Sequence, residues 1–466
     1  MSQFRPAALE ADVVVIGGGP AGEVLAGRCA GRGLDTVLVE AELIGGECSY
    51  WGCIPSKTLL RPGDVLAAAA RVPGAAAAVT GPVDVSAALA RRDYMTSHWT
   101  DDGQERWLAD HGVRLLRGTG RLAGTRRVRV DGGPQLVARR AVVLATGSEA
   151  VLPPVPGLAD VRPWDNRAAT AAKEVPGRLL VLGGGAVGLE LAQAFFRLGA
   201  ADVTVVEAGS RLLPHEEPFA GEEVLAAFER EGIAVHVDTR LAAIGRDGTD
   251  GPVHATLSNG QEIIADEVLV AAGRRPRTDD LGLGTVGLRP GRPVKVDDRL
   301  RAIGVPGAWL FAVGDCTGLA PLTHMGKYQA RIAADVITGR DVRDRASRDA
   351  VTRVTFTDPQ VCAVGLTAAE ALQRGIAVRV IDVGTGDVPG SYVLGDGLQG
   401  TTRFVVEEAS GVLVGATITG SGVQELLHSA AVVVAAHLSL SELRHAVPAF
   451  PTVAEVWLHA LEAAGL

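Results

Sequence analysis

Cysteine is scarce in this chain, five in 466 residues, too few for the disulfide framework of a secreted scaffold. Two of the five, Cys48 and Cys53, form a close pair of the kind kept in reducing compartments, while Cys29, Cys316 and Cys362 are scattered singly. A zinc site fails for want of a second paired cluster, and no metal is expected. A basic excess is also missing. Lys plus Arg total 45 against 54 for Asp plus Glu, a formal charge of -9, so no positive field exists to hold nucleic acid or an anionic membrane. No apolar run reaches the roughly 18 residues of a membrane span; Ala430 to Ala436 is apolar but stops at His437. The N-terminus carries Arg5, Glu10 and Asp12 and then a short apolar run ending in glycines, which fits a strand and not a signal peptide. The expectation is a cytoplasmic protein with neither a membrane nor a nucleic-acid partner.

What the chain does have is length for about three domains and one pattern that occurs twice. Asp12 to Ile16 is a short β-branched run, followed at once by Gly17, Gly19 and Gly22 in the spacing of the dinucleotide fingerprint and by a helical stretch, Glu23 to Ala30. In that fingerprint the glycines permit a tight turn, close backbone approach to a pyrophosphate, and tight helix packing. Thr36 to Val39 is a second strand, and Glu40 follows it 18 residues after Gly22, where a ribose-binding carboxylate belongs. Further on, Leu179 to Leu182 is a strand, Gly183, Gly185 and Gly188 repeat the spacing, Leu189 to Leu198 is a helix, and Val203 to Val206 ends in Glu207. Two such units imply two dinucleotides, one a flavin and one a nicotinamide. A carboxylate at Glu207 accepts from the 2'-hydroxyl of NADH and repels the 2'-phosphate of NADPH. NADH is preferred, with Arg211, four residues on, keeping NADPH open.

The cysteine pair is a second feature. Residues five apart on a regular helix have Cα atoms roughly 8 to 9 Å apart, whereas a disulfide needs them within about 7 Å. Bridging Cys48 and Cys53 therefore requires a distorted turn, for which Gly45, Gly46 and Gly52 supply the permissive backbone. Two buried, unreactive thiols are the bland alternative.

The string from Gly45 through Cys48, Gly52, Cys53, Ile54, Pro55, Ser56 and Lys57 resembles the class I pyridine nucleotide-disulfide oxidoreductases, which include dihydrolipoamide dehydrogenase, glutathione reductase and mercuric reductase. The resemblance runs over essentially the whole chain. It implies an α/β fold with two Rossmann-like dinucleotide-binding domains, for FAD and NAD(P), plus a C-terminal α+β dimerisation domain. The boundaries expected are 1–150 and 281–345 for FAD, 151–280 for NAD(P) and 346–466 for the interface domain, with Pro153, Pro154, Pro156 and Gly157 as linker and 340–353 as a solvated connector.

The same likeness implies residue roles. Cys48 exchanges with substrate, Cys53 faces the flavin as the charge-transfer thiolate, and Lys57, paired with Glu190, lies near flavin N5. Gly46, Gly120, Thr146, Gly147 and Asp315, with Leu322, Thr323 and His324, belong to flavin-binding segments, and His324 is a positioning residue. Gly273 opens a Gly-Arg-x-Pro return crossing; its arginines are assigned no role. Electrons would pass from nicotinamide through flavin to Cys48 and Cys53, in a homodimer whose partner completes each active site.

One position departs from the pattern. Disulfide reductases of the family use a C-terminal His-Pro-Thr and a following Glu as an acid/base dyad; this chain has Phe450, Pro451, Thr452 and then Glu455. Phenylalanine transfers no proton, and positioned acid/base catalysis contributes about 10² to 10⁴-fold. The second cysteine pair that mercuric reductases and large thioredoxin reductases carry near the C-terminus is also missing. Tyr50 and Trp51 are bulkier than the family's usual residues and bear on pocket size. The expected activity is therefore electron transfer to a small-molecule acceptor that does not need the histidine: a quinone, a metal ion, an oxidant or an unusual disulfide. The alternatives are a dihydrolipoamide dehydrogenase-like enzyme with a displaced base and a slow redox-sensing flavoprotein.

Overall fold

The computed structural model describes residues 8–466, and the chain divides into two compact units, each assembled from three stretches of sequence. The first takes in residues up to Ile54, then Asp93–Glu149 and Arg274–Arg348. Its sheet runs in the order Val113–Arg117, Thr36–Glu40, Leu9–Ile16, Gln135–Leu144, Arg127–Val130 and Gly120–Leu122, with Leu310–Ala312 also paired to Gln135–Leu144. The Leu9–Ile16, Thr36–Glu40 and Val113–Arg117 pairings are parallel. Such strands are covered on both faces and read as unbroken apolar runs; Val13, Val14 and Val15 are fully buried. The turn after Ile16 feeds helix Pro20–Ala30, so the first fingerprint lies where a parallel strand ends and a helix begins.

The second unit comprises Pro55–Arg92, Ala150–Gly273 and Asp349–Leu466. It holds a parallel sheet in the order Ala234–His236, Asp202–Val206, Arg178–Leu182 and Glu267–Val270, with helix Ala186–Arg197 following the second fingerprint. A three-stranded antiparallel sheet, Leu241–Arg246, Val253–Leu257 and Glu262–Ala265, stands beside it in sequence. The C-terminal part is a five-stranded antiparallel sheet ordered Thr352–Thr355, Gln360–Gly365, Leu413–Gly420, Thr401–Glu407 and Val378–Gly384. Beyond the sheet lie a 3-10 turn, Val423–Glu425, and helix Leu427–Ala435.

The stretch 340–353 is less solvated than its charges suggest. Asp344 and Ser347 are buried, Asp344 Oδ1 accepts from the Ser347 backbone N–H at 3.0 Å, and Arg353 forms an ion pair with Glu216 at 2.8 Å. Alternating charge gave no warning of this, because a buried charge is matched by a partner that can lie far away in sequence.

Candidate active site

In the first unit the fingerprint glycines divide the work. A Cβ on Gly17 would lie 2.4 Å from Ala145 O and one on Gly22 would lie 1.9 Å from Gly17 O, whereas one on Gly19 would meet nothing within 4 Å. Gly17 takes φ 104°, and Gly19 caps helix Pro20–Ala30 without a side-chain hydrogen bond. The outer glycines are thus packing positions, and the middle one leaves an open approach to a helix N-terminus, where backbone N–H groups favour an anion. Glu40 closes the turn: Oε2 accepts from Gly18 N at 2.5 Å and Oε1 from Glu42 N at 2.7 Å. Fixed in this way, the carboxylate retains lone pairs for ribose hydroxyls. This cradle fits the diphosphate and ribose of a dinucleotide.

The redox loop is docked on the same turn. Gly45 N donates to Gly18 O at 2.8 Å, and a Cβ on Gly46 would come within 3.0 Å of Gly19 Cα. Gly45 and Gly46 have φ of 108° and 54°, so the turn enters the short helix Gly46–Tyr50 through left-handed backbone. Cys48 lies in that helix and Cys53 opens the next, Cys53–Ala70, with Trp51 at φ -137° between them. The helical path is broken between the cysteines, as their spacing required. Gly52 is not left-handed; a Cβ there would sit 3.1 Å from Glu47 O, so it is the loop's own backbone that demands glycine.

Neither sulfur is in a disulfide, and the Cys53 Sγ lies 3.3 Å from Thr323 Oγ1. The Cys48 thiol is pushed well above its ordinary range, first by its hydrogen bond to Cys53 and then by burial, while the Thr323 hydroxyl and the Lys327 ammonium pull it back. The shift favours the protonated form of Cys48.

Other expected flavin-site residues gather in this unit. Asp315 Oδ2 accepts from Ser148 Oγ at 2.6 Å, and Thr146 Oγ1 donates to Arg277 O at 2.8 Å. Gly147 has φ 71° and faces open space. Leu322 caps helix Thr323–Ile337, in which His324 is exposed. Gly120 is different, since a Cβ there would press on Ile16 and Val39 side chains at 3.1 and 3.2 Å, a core-packing reason for glycine. Tyr50 points into the fold and is 1 % exposed, so its bulk does not narrow a pocket.

The second unit repeats the cradle. Cβ atoms on Gly183 and Gly188 would lie 2.4 Å from Ala271 O and 2.1 Å from Gly183 O, and one on Gly185 would meet nothing within 4 Å. Glu207 accepts from Gly184 N through Oε2 and from Gly209 N through Oε1, both at 2.6 Å. Arg211 turns to its own loop, donating to Glu216 O at 2.8 Å and Pro214 O at 2.7 Å. Gly273, at φ 120°, ends the middle stretch of this unit. The Lys57 ammonium meets Glu190 Oε2 at 2.5 Å, and Glu190 Oε1 accepts from Phe356 N at 2.9 Å. Glu455 is 7 % exposed and its Oε2 has no hydrogen-bond partner among the described residues; Phe450 is 75 % exposed.

Several contributing residues carried no sequence signal for their roles. Phe356 holds Glu190 and sets its ring 4.8 Å from the Lys57 ammonium. Arg274, to which the sequence assigned no role, donates through Nε and Nη2 to Ser148 Oγ and O, both at 2.9 Å, and approaches Glu47 at 3.6 Å. Lys327 lies in a flavin-binding segment of the family pattern, and its position one turn beyond Thr323 was the available hint.

The chain's likeness to known proteins agrees with this geometry. Residues 11–334 match the pyridine nucleotide-disulphide oxidoreductase family and residues 351–461 its dimerisation domain. A mercuric reductase of Shigella flexneri is 33 % identical over 453 residues, covering 95 % of this chain and 79 % of that protein. A dihydrolipoyl dehydrogenase of Haloferax volcanii is 33 % identical over 466 residues, covering 97 % and 95 %. Among solved structures, the Cu(II) complex of the HOCl-induced flavoprotein disulfide reductase RclA from Escherichia coli superposes with a TM-score of 0.84 at 25 % identity, covering 97 % of this chain and 99 % of that one.

Proposed function

The chain belongs to the pyridine nucleotide-disulfide oxidoreductases, FAD- and NAD(P)H-dependent enzymes, and on that premise we propose that it passes electrons from NADH through Cys48 and Cys53 to an acceptor needing no imidazole. The carrying observation is at the C-terminus. Phe450 occupies the histidine position, and the Glu455 Oε2 that an imidazole would engage is buried without a partner among the described residues. A quinone or a thiophilic metal ion meets that condition. That a mercuric reductase is among the relatives, and that the RclA neighbour was solved with Cu(II), support the metal arm.

Flavin, when bound, accepts hydride from nicotinamide and passes electron pairs onward. The protein's part is to hold and bias the groups. In this reading Gly17, Gly19, Gly22 and Glu40 hold the flavin nucleotide, with Asp315 on its ribityl chain, while Gly183, Gly185, Gly188 and Glu207 hold the nicotinamide nucleotide. Glu207 favours NADH, and Arg211, spent on its own loop, offers no 2'-phosphate site. Glu190 and Phe356 fix the Lys57 ammonium, one turn beyond Cys53 on the same helix. Reduction of the bridge by two electrons and one proton breaks the S–S bond, places that proton on Cys48 and leaves Cys53 as the thiolate. Residues 1–150 and 281–345 form the flavin domain, 151–280 the nicotinamide domain and 346–466 the interface domain; the dimerisation match supports a homodimer. A working dithiol suits a reducing compartment, the cytoplasm.

The test is anaerobic titration with NADH together with steady-state assays on wild type, Cys53→Ser and Phe450→His. Wild type is expected to take up two electrons with a long-wavelength charge-transfer band that Cys53→Ser lacks, and acceptor turnover in that variant should fall about 10³-fold or more. Phe450→His, restoring a base beside Glu455, should raise lipoamide turnover by about 10² and leave quinone or metal turnover unchanged. Identical reduction of wild type and Cys53→Ser would refute the relay.

A further inference from the structure

The residues between the two cysteines are held by an aromatic clasp that the redox chemistry does not itself require. Tyr50 ends the helix bearing Cys48, and two successive residues of a neighbouring turn grip it. Its carbonyl accepts from Trp99 Nε1 at 3.2 Å, and its hydroxyl donates to Thr100 O, also at 3.2 Å. On its other side the ring crowds Gly45, where a Cβ would lie 3.1 Å from Tyr50 Cε2. The loop is thereby pinned at its start, through Gly45 N on Gly18 O at 2.8 Å, and at its end, through Tyr50.

The gripping turn is itself unusual. Ser97, His98 and Trp99 have φ of 51°, 52° and 55°, three successive side-chain-bearing residues in the left-handed region, which L-residues visit singly if at all. Such backbone persists only where its surroundings over-determine it. Here Trp99 N donates to Thr96 O at 2.9 Å and Thr100 N to Ser97 O at 3.0 Å, and Thr96 is buried with its hydroxyl on Asp93 O at 3.0 Å. Immediately after the turn, Asp101 accepts from Ile44 N at 2.7 Å, tying the same segment to the entrance of the redox loop. The chain keeps an unfavourable turn in a place where its product is one indole N–H and one carbonyl aimed at Tyr50.

We propose that Trp99 and Tyr50 are positioning residues that set the reduction potential of the Cys48–Cys53 couple; this rests on the relay proposed above. Oxidation of the pair, with Cys48 as thiol and Cys53 as thiolate, removes two electrons and one proton and forms one S–S bond, which needs the Cα atoms brought within about 7 Å. A loop already pinned at both ends loses little freedom on closing. Unpinned, it gains freedom chiefly as the open dithiol, and the equilibrium moves toward reduction.

Trp99→Phe keeps the ring and deletes the donor; Tyr50→Phe deletes the hydroxyl. FAD-loaded wild type and variants are equilibrated without oxygen in dithiothreitol buffers of graded dithiol-to-disulfide ratio. In each exchange the protein disulfide becomes two thiols as dithiothreitol closes to its ring disulfide. Quenching with an alkylating reagent and counting modified Cys48 and Cys53 by mass gives the equilibrium constant. Trp99→Phe is expected to shift it about tenfold toward the dithiol, ~30 mV for two electrons, with flavin content and melting temperature unchanged, and Tyr50→Phe to shift it the same way. Equal constants in all three proteins, or shifts toward the disulfide, overturn the clasp while leaving the relay standing. A wild type in which the two cysteines never bridge overturns the relay and the clasp with it.

Discussion

The two glycine turns are built alike, and the chain beyond them is not. In each, the first and third glycines back onto carbonyls at 1.9 to 2.4 Å from where a Cβ would stand, the middle glycine faces open space, and a glutamate clamps two backbone N–H groups. After Glu40, however, the first unit sends its chain through Gly45 and Gly46 back onto the turn and delivers Cys48; after Glu207, the second sends Arg211 into a self-contained loop. On the proposed function the turn is a generic holder of dinucleotides, and the residues downstream of the acid decide the chemistry. Glu190 makes the same point from the helix side. It sits two residues past Gly188 and serves Lys57, whereas its counterpart in the first unit, Val24, is an apolar residue packed against the core.

Substitution of the glycines gives the largest test of this likeness. Gly22→Ala and Gly188→Ala must displace backbone, and each is expected to cost roughly 3 kcal/mol or more of stability, at or above the top of the usual range for overpacking, read as loss of soluble protein or a lowered melting temperature. Gly19→Ala and Gly185→Ala should fold normally and lose cofactor instead, the first as apoprotein on purification and the second as a raised KM for NADH. If the middle-glycine variants were the ones to unfold, the two cradles would not be what their geometry says.

A smaller effect distinguishes the two acids. Glu40→Gln should weaken flavin retention about tenfold and leave the nicotinamide KM alone, while Glu207→Gln should narrow the NADH-over-NADPH preference by a similar factor, one hydrogen bond to a charged group being worth about 1.5 kcal/mol or more. Equilibrium dialysis and paired kinetics with the two nucleotides measure these. Identical behaviour of the two variants would erase the division of labour between the units.

The smallest expected effect concerns a buried acid of the second unit, on the helix that Cys53 opens. Burial pushes Asp64 up to about 6, with the Arg197 guanidinium opposing and Asp358 reinforcing the shift. A carboxyl whose folded value exceeds its unfolded one stabilises the fold when protonated, so that contribution is full below about pH 4 and is lost as pH rises through about 6. Asp64→Asn should flatten the stability profile between pH 4 and 6 in denaturant titrations; an unchanged slope would assign it to another group, Glu23 of the first unit, raised to about 7 by burial, being the next candidate.

Much of this was legible in the chain because it is local. A turn that needs left-handed backbone at Gly17, Gly45 and Gly183, a helix that starts on a bare N-terminus, and a carboxylate at the end of the next strand are all written in contiguous residues. So were the close cysteine pair and Phe450 ahead of Pro451 and Thr452. Gly120 and Tyr50 show where this reasoning stops, since the side chains that surround them come from strands and turns elsewhere in sequence.

By itself, then, the sequence determined the two glycine turns with their clamping glutamates, the close cysteine pair and the phenylalanine at position 450, since backbone preference and residue chemistry act over a few neighbouring positions. Tertiary structure alone decided that Phe356 steadies Lys57 and Glu190, that Arg274 serves Ser148, and that Trp99 reaches Tyr50 across 49 positions of chain. Those contacts depend on how strands and helices pack, and a hydrogen bond between distant residues leaves no periodic trace in either partner's local sequence.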